Sequence, residues 1–197
     1  MRLNLSIHDV KGDGHCFFRA VAHSLLNHRS RSLDDAEDLT RGLRRTISTL
    51  ARTRHREKVQ SMIERAIETC IQPRVDCFLS NTTFDLVKFC GENEVHRDYT
   101  REYSDALSSS NSFASFVEVE LMQLLMKRHG IVIYIAPSIE SLNSGLDWRK
   151  RMRKLSKYRE SKNVRLMTLL NSDGVHYLWV SIGGQSLPLI KDLFLNS

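Results

Sequence analysis

Apolar positions recur with helical spacing through most of the first 130 residues, then give way to strand-like runs. Phe17, Ala20, Val21, Ser24, Leu25 and His28 predict a helix that opens at or beside Cys16, behind the glycine-rich loop Lys11-Gly12-Asp13-Gly14-His15. A second helix is expected from Asp34 or Asp35, whose side chains can cap free N–H groups. It presents Leu39, Leu43, Ile47 and Leu50 on one face. Val59, Met62, Ile63, Ala66, Ile67, Cys70 and Ile71 mark a third helix, stopped by Pro73. A shorter helix is expected over Thr83 to Cys90, and Ser104 to Ser115 reads as a loop. Val117, Leu121, Leu124 and Leu125 predict one more helix, ended by Gly130. Strands are expected at Ile131 to Ile135, Val164 to Leu170 and His176 to Ile182, with a last one near Leu187 to Ile190. Helices early and strands late point to an α+β fold, a small sheet covered by helices.

A chain of 197 residues reads as one domain spanning 1–197, at roughly 150 residues per domain. The longest purely apolar stretch, Ile131 to Ala136, is far short of the roughly 20 residues a membrane span needs. The first residues carry no apolar run of signal-peptide length, and four cysteines are too few for a disulfide scaffold. A reducing, cytoplasmic setting is therefore expected, or a host cytosol for a pathogen's protein. Net charge is +6, unevenly placed. Between Trp148 and Arg165 stand nine Lys or Arg against one acid, Glu160, so that segment carries +8 and the remainder −2. This basic insertion-like segment could contact nucleic acid or an anionic surface, or simply be a solvated face.

Two residues carry candidate chemistry. A thiol at Cys16 would face the positive end of a helix, which favours thiolate, although a small buried residue at a helix start is the plainer alternative. His176 follows the turn Asn171-Ser172-Asp173-Gly174 and opens an apolar strand, a rigid place for a general base. Tyr177 and Trp179 should point to the opposite face, into the core. Cys70, Cys77, Cys90 and His96 lack the paired short spacings of structural zinc sites, so no metal is expected there.

Taken together, Asp13-Gly14-His15-Cys16-Phe17-Phe18-Arg19-Ala20 and the late strand opening at His176-Tyr177 resemble the ovarian tumour (OTU) family of cysteine deubiquitinases. Phe113-Ala114-Ser115-Phe116-Val117-Glu118 occupies the place of a third, degenerate family segment. The resemblance runs over about residues 8 to 183 and implies a papain-like α+β fold. It implies a thiol hydrolase that cleaves (iso)peptide bonds at the C-terminus of ubiquitin or a ubiquitin-like modifier, without cofactor or metal. Cys16 would be the nucleophile and His176 the general base, with Asp13 in the catalytic set. Backbone N–H groups of Asp13, Gly14, His15 and Cys16 would form the oxyanion hole.

One departure stands out. Many members carry Asp or Asn two residues after the histidine, on the same strand face; here that residue is Leu178, which accepts no hydrogen bond. Asp173, Asn171, Asp13 or a backbone carbonyl are the expected substitutes. The alternatives are a viral-type protease that processes a polyprotein, and an inactive OTU-like module that binds ubiquitin, or nucleic acid through 148–165.

Overall fold

The computed structural model describes residues 4–28, 35–70, 98–109, 114, 116–172 and 176–195. Strand β1 (Leu5–His8) comes first, followed by helices α1 (Cys16–His28), α2 (Ala36–Arg52), α3 (Arg56–Cys70), α4 (Tyr99–Ser109) and α5 (Phe116–Arg128). Strand β2 (Ile131–Ala136) leads through α6 (Ile139–Asn143), α7 (Gly145–Leu155) and a 3-10 turn at Ser156–Tyr158 to strands β3 (Arg165–Ser172) and β4 (His176–Ile182). Helix α8 (Ile190–Leu195) follows. The strands form one small mixed sheet in the order β1-β4-β3-β2, antiparallel except for the parallel β2–β3 pair.

Alternation along the strands divides the core into two layers. Ile131, Ile133, Met167, Leu169, Tyr177 and Trp179 face one way and join the cluster built by α1, α2 and α5. Phe17 and Phe18 of α1 are fully buried there, each stabilising the fold by about 1.5–3 kcal/mol. The Phe17 ring meets Tyr177 edge-on at 5.0 Å, which docks the start of α1 onto the start of β4. Leu166 and Ile182 face the other way and pack with Met152 and Leu155 of α7 and Ile190 and Leu193 of α8.

Helix α5 ends at Gly130, as its sequence predicts. At φ +69° the residue is left-handed, and a Cβ there would come within 3.3 Å of the Asn163 carbonyl, so only glycine makes this turn without strain.

Three expectations need correction, and one strand was not expected at all. The Ser104 to Ser115 region is not a loop at its start, because α4 runs to Ser109. Tyr99, Tyr103 and Leu107 are buried at a four-residue spacing, while Ser48 of α2 hydrogen-bonds the Ser104 carbonyl (2.9 Å) and the Ser108 hydroxyl (2.7 Å). The serines thus serve a close, hydrogen-bonded helix–helix contact. Asp35 precedes α2 without capping it, since its backbone is already helical and its side chain accepts no cap hydrogen bond, and the other expected cap, Asp34, lies outside the described residues. Leu187 to Ile190 is not a strand. Leu189 makes one isolated bridge to Arg165, and Ile190 opens α8. Finally, β1 has no counterpart in the sequence reading. The basic segment is largely helical, as α7 and the 3-10 turn, and the region expected as a helix at Thr83 to Cys90 lies outside the described residues.

Candidate active site

The loop from Lys11 to His15 delivers Cys16 to the first turn of α1. Asp13 organises that loop: its Oδ1 accepts the His15 N–H at 2.9 Å, and its backbone carbonyl accepts the Cys16 N–H at 3.0 Å. Arg19, one turn into α1 and buried, reaches back with Nη1 to Asp13 Oδ1 (2.8 Å) and to the Lys11 carbonyl (3.0 Å). Its Nη2 also reaches Glu37 Oε2 of α2 at 3.2 Å. Burial opposes ionisation of Asp13, but the Arg19 hydrogen bond and the His15 N–H outweigh it and hold its carboxyl below the usual range. Glu37 is likewise lowered, chiefly by its Arg19 hydrogen bond, and the Arg19 guanidinium is raised, chiefly by Glu37. Buried Arg44 of α2 supports the loop from behind, with Nη1 on the Gly14 carbonyl at 3.1 Å and Nε on the Leu107 carbonyl at 2.7 Å.

Cys16 is a free, fully buried cysteine. Backbone N–H groups of Tyr177 and Phe17 hydrogen-bond its sulfur, which sets the thiol against the residue that follows His176. Burial pushes the thiol pKa up, and these hydrogen bonds do not reverse the shift. The direction of this shift runs against the expectation of a thiol lowered by the helix terminus, and its largest cause is burial.

His176 opens β4 with its ring lying over the loop. Nδ1 and Cε1 both stand 3.5 Å from where a Cβ on Gly12 would sit, ordinary van der Waals contact, which places the imidazole beside the Gly12 backbone. Nε2 pairs with Asp9 Oδ1 at 2.9 Å, while Nδ1 is buried with no hydrogen-bond partner among the described residues. The His176 hydrogen bond holds the Asp9 carboxyl below its ordinary pKa. A carboxylate accepts, so Nε2 carries the hydrogen, and in the neutral ring Nδ1 then keeps its lone pair. The ring presents a free base on its inner edge.

Asp9 was not among the expected orienting groups. The β1–β4 ladder pairs Leu5 with Ile182 and His8 with Trp179. Extending it by one residue sets Asp9 across from Leu178, on the same sheet face, with His176 its diagonal neighbour. The carboxylate absent at Leu178 thus arrives from the adjoining strand. His8 fixes that end of β1, stacked 3.8 Å over Trp179 with Nε2 2.9 Å from the Ser181 hydroxyl. The signal in the sequence was an Asp directly after the short pattern Leu5-Ser6-Ile7-His8.

The other expected residues are placed as follows. Asn171 sits across from Tyr177 in the β3–β4 ladder; its Oδ1 is buried without a partner among the described residues, and it does not orient His176. Asp173 lies outside the described residues. Asp13 binds Arg19 rather than His176, a loop-shaping role. Of the four proposed oxyanion donors, the N–H groups of Asp13, His15 and Cys16 are already given to Lys11 O, Asp13 Oδ1 and Asp13 O. Only Gly14 keeps its N–H uncommitted among the described residues. In the degenerate segment Val117 and Glu118 are buried and Phe116 is 44% exposed, while Phe113 and Ser115 lie outside the described residues, as do Cys77, Cys90 and His96. No described helix is long and apolar enough to cross a membrane.

No family model matches this chain, and no curated protein or solved structure matches it either.

Proposed function

We propose that the protein is a cysteine hydrolase of the OTU type, with a papain-like arrangement of helix-borne thiol and strand-borne imidazole, acting on ubiquitin or a ubiquitin-like modifier. The observation that carries the chemistry is the His176 ring, anchored at Nε2 by Asp9 and offering an unpartnered Nδ1 beside the Cys16 loop. The substrate class rests on the sequence resemblance. A reducing compartment such as the cytoplasm suits a nucleophile that must stay a free thiol.

From the thiol form, which burial favours, attack begins with proton transfer. Nδ1 of His176 takes the Sγ–H proton as sulfur bonds to the carbonyl carbon of the modifier's C-terminal residue. The imidazolium that forms is stabilised through Nε2–H by the Asp9 carboxylate. Negative charge gathers on the carbonyl oxygen, and the free Gly14 N–H is the donor left in the loop to receive it. Collapse breaks the C–N bond, Nδ1–H protonates the leaving amine, and a thioester remains. Water then gives a proton to Nδ1 as its oxygen bonds to the thioester carbon; the C–S bond breaks, Nδ1–H returns that proton to the Cys16 sulfur, and the released acid loses its own proton to solvent as the carboxylate. Asp13, Arg19 and Arg44 act as positioning residues that hold the loop.

Cleavage of a ubiquitin conjugate by the wild type, lost in both Cys16→Ala and His176→Ala while circular dichroism stays unchanged, is the expected result. Retained cleavage in either folded variant overturns the proposal.

A further inference from the structure

The second core layer carries a surface the hydrolase chemistry does not use. Helix α7 is rooted on the sheet: Met152 and Leu155 are buried, and the Arg151 guanidinium lies 3.4 Å from the centroid of the Tyr134 ring. The outward side of α7 and the turn after it expose Lys150, Arg153, Lys154, Lys157, Arg159 and Lys162, with Glu160 as the single acid among them.

Several exposed cations elsewhere on this protein sit beside acids, while Arg45, Arg54 and Lys127 have no ion-pair partner among the described residues. Arg56 pairs with Asp98 and Lys58 with Glu120, each at 2.6 Å; Arg52 lies 3.7 Å from Asp105, and Arg41 pairs with Asp38. None of the six cations around α7 has an ion-pair partner among the described residues. Like charges held this close repel one another, and Glu160 together with the ring contacts of Lys157 on Tyr158 and Arg159 on Phe194 offsets only part of that. Lys150 and Lys154 fall at i and i+4 on one face of α7 with Arg153 beside them, and Lys157 follows in the 3-10 turn.

We infer that this face is a docking surface for the phosphate backbone of a nucleic acid, bound without reading its sequence. A row of ammonium and guanidinium groups on a rigid helix matches regularly spaced phosphates and releases their counterions on binding. A lipid surface fits less well. A membrane-surface helix inserts its apolar side, whereas that side of α7 is spent on the sheet. The exposed large apolar side chains Ile7, Phe116 and Ile139 belong to other elements.

The test is fluorescence anisotropy of a labelled duplex of about 30 base pairs, titrated with full-length protein at several salt concentrations from about 50 mM upward. Saturable binding with a steep inverse salt dependence is expected. Replacing Lys150, Arg153, Lys154 and Lys157 together by Gln should flatten the log–log salt slope by about 3–4 and weaken low-salt affinity at least about tenfold. Arg41→Gln with Lys58→Gln, on other elements, should leave both unchanged. Absence of saturable binding by the wild type at low salt overturns the inference, and so does a salt slope unchanged by the quadruple substitution. Binding confined to phosphatidylserine vesicles, or to an acidic protein, overturns it as well.

Discussion

The most telling single perturbation is Asp9→Ala. Its carboxylate meets His176 Nε2 at 2.9 Å, yet the Asp9 side chain is 78% exposed. Hydrogen bonds to charged groups contribute about 1.5–3 kcal/mol, and exposed ion pairs about 0.2–1 kcal/mol. Only the part that strengthens as the imidazolium forms accelerates the reaction. A half-sheltered ring against an open carboxylate falls between these limits, at about 1–2 kcal/mol, which is a loss of about 5–30-fold in kcat/KM. That is far below the roughly 10⁴-fold effect of a deeply buried triad acid. Asp9→Asn keeps an acceptor and loses the charge, so about 3–10-fold is expected from the same reasoning. The assay is release of a fluorophore from the C-terminus of ubiquitin, at substrate concentrations well below KM. A nitrogen NMR spectrum of the His176 ring supplies a readout that a merely structural role would not move. The wild type should hold the proton on Nε2, and Asp9→Ala should populate both tautomers. Asp9→Ala activity within about twofold of wild type would refute the orienting role, as would an unchanged tautomer.

Two further outcomes follow from the electrostatics. Burial raises the Cys16 pKa, so labelling of this cysteine by iodoacetamide, resolved by peptide mass, should be slow at neutral pH and climb about tenfold per unit toward alkaline pH. Labelling that is fast and flat from slightly acid to neutral pH would instead reveal a resting thiolate. Asp13 and Glu37 have folded pKa values below their unfolded ones, so their stabilisation is complete above the unfolded values and is lost as pH falls through the folded ones. Arg19→Leu should therefore lower Tm at neutral pH by several degrees, about 1–3 kcal/mol with both carboxylates still reachable by water. The difference from wild type should shrink near pH 3, and an equal gap at both pH values would contradict this account.

What the sequence made legible was local. The glycines before Cys16 and the helical spacing after it place the thiol at a helix start, where the structure has it. Alternation through His176, Tyr177, Leu178 and Trp179 put Tyr177 and Trp179 in the core, where they are 7% and 5% exposed. Asp9 was hidden because its role depends on register: β1 is four residues long, and only its pairing with β4 brings positions 9 and 176 together. The second half of α4 was obscured by serines, which usually favour turns but here bond across to Ser48. The Cys16 thiol ran against expectation because a helix terminus is visible in sequence, whereas the burial that raises its pKa comes from α1 packing onto β4.

The most direct test of the central claim is reaction with ubiquitin bearing a C-terminal electrophile, read as an intact-mass shift in wild type and Cys16→Ala side by side. One ubiquitin added to the wild type, mapped to Cys16 and absent from the variant, is the predicted result. An adduct that persists in Cys16→Ala, or no adduct on a folded wild-type protein, would contradict it.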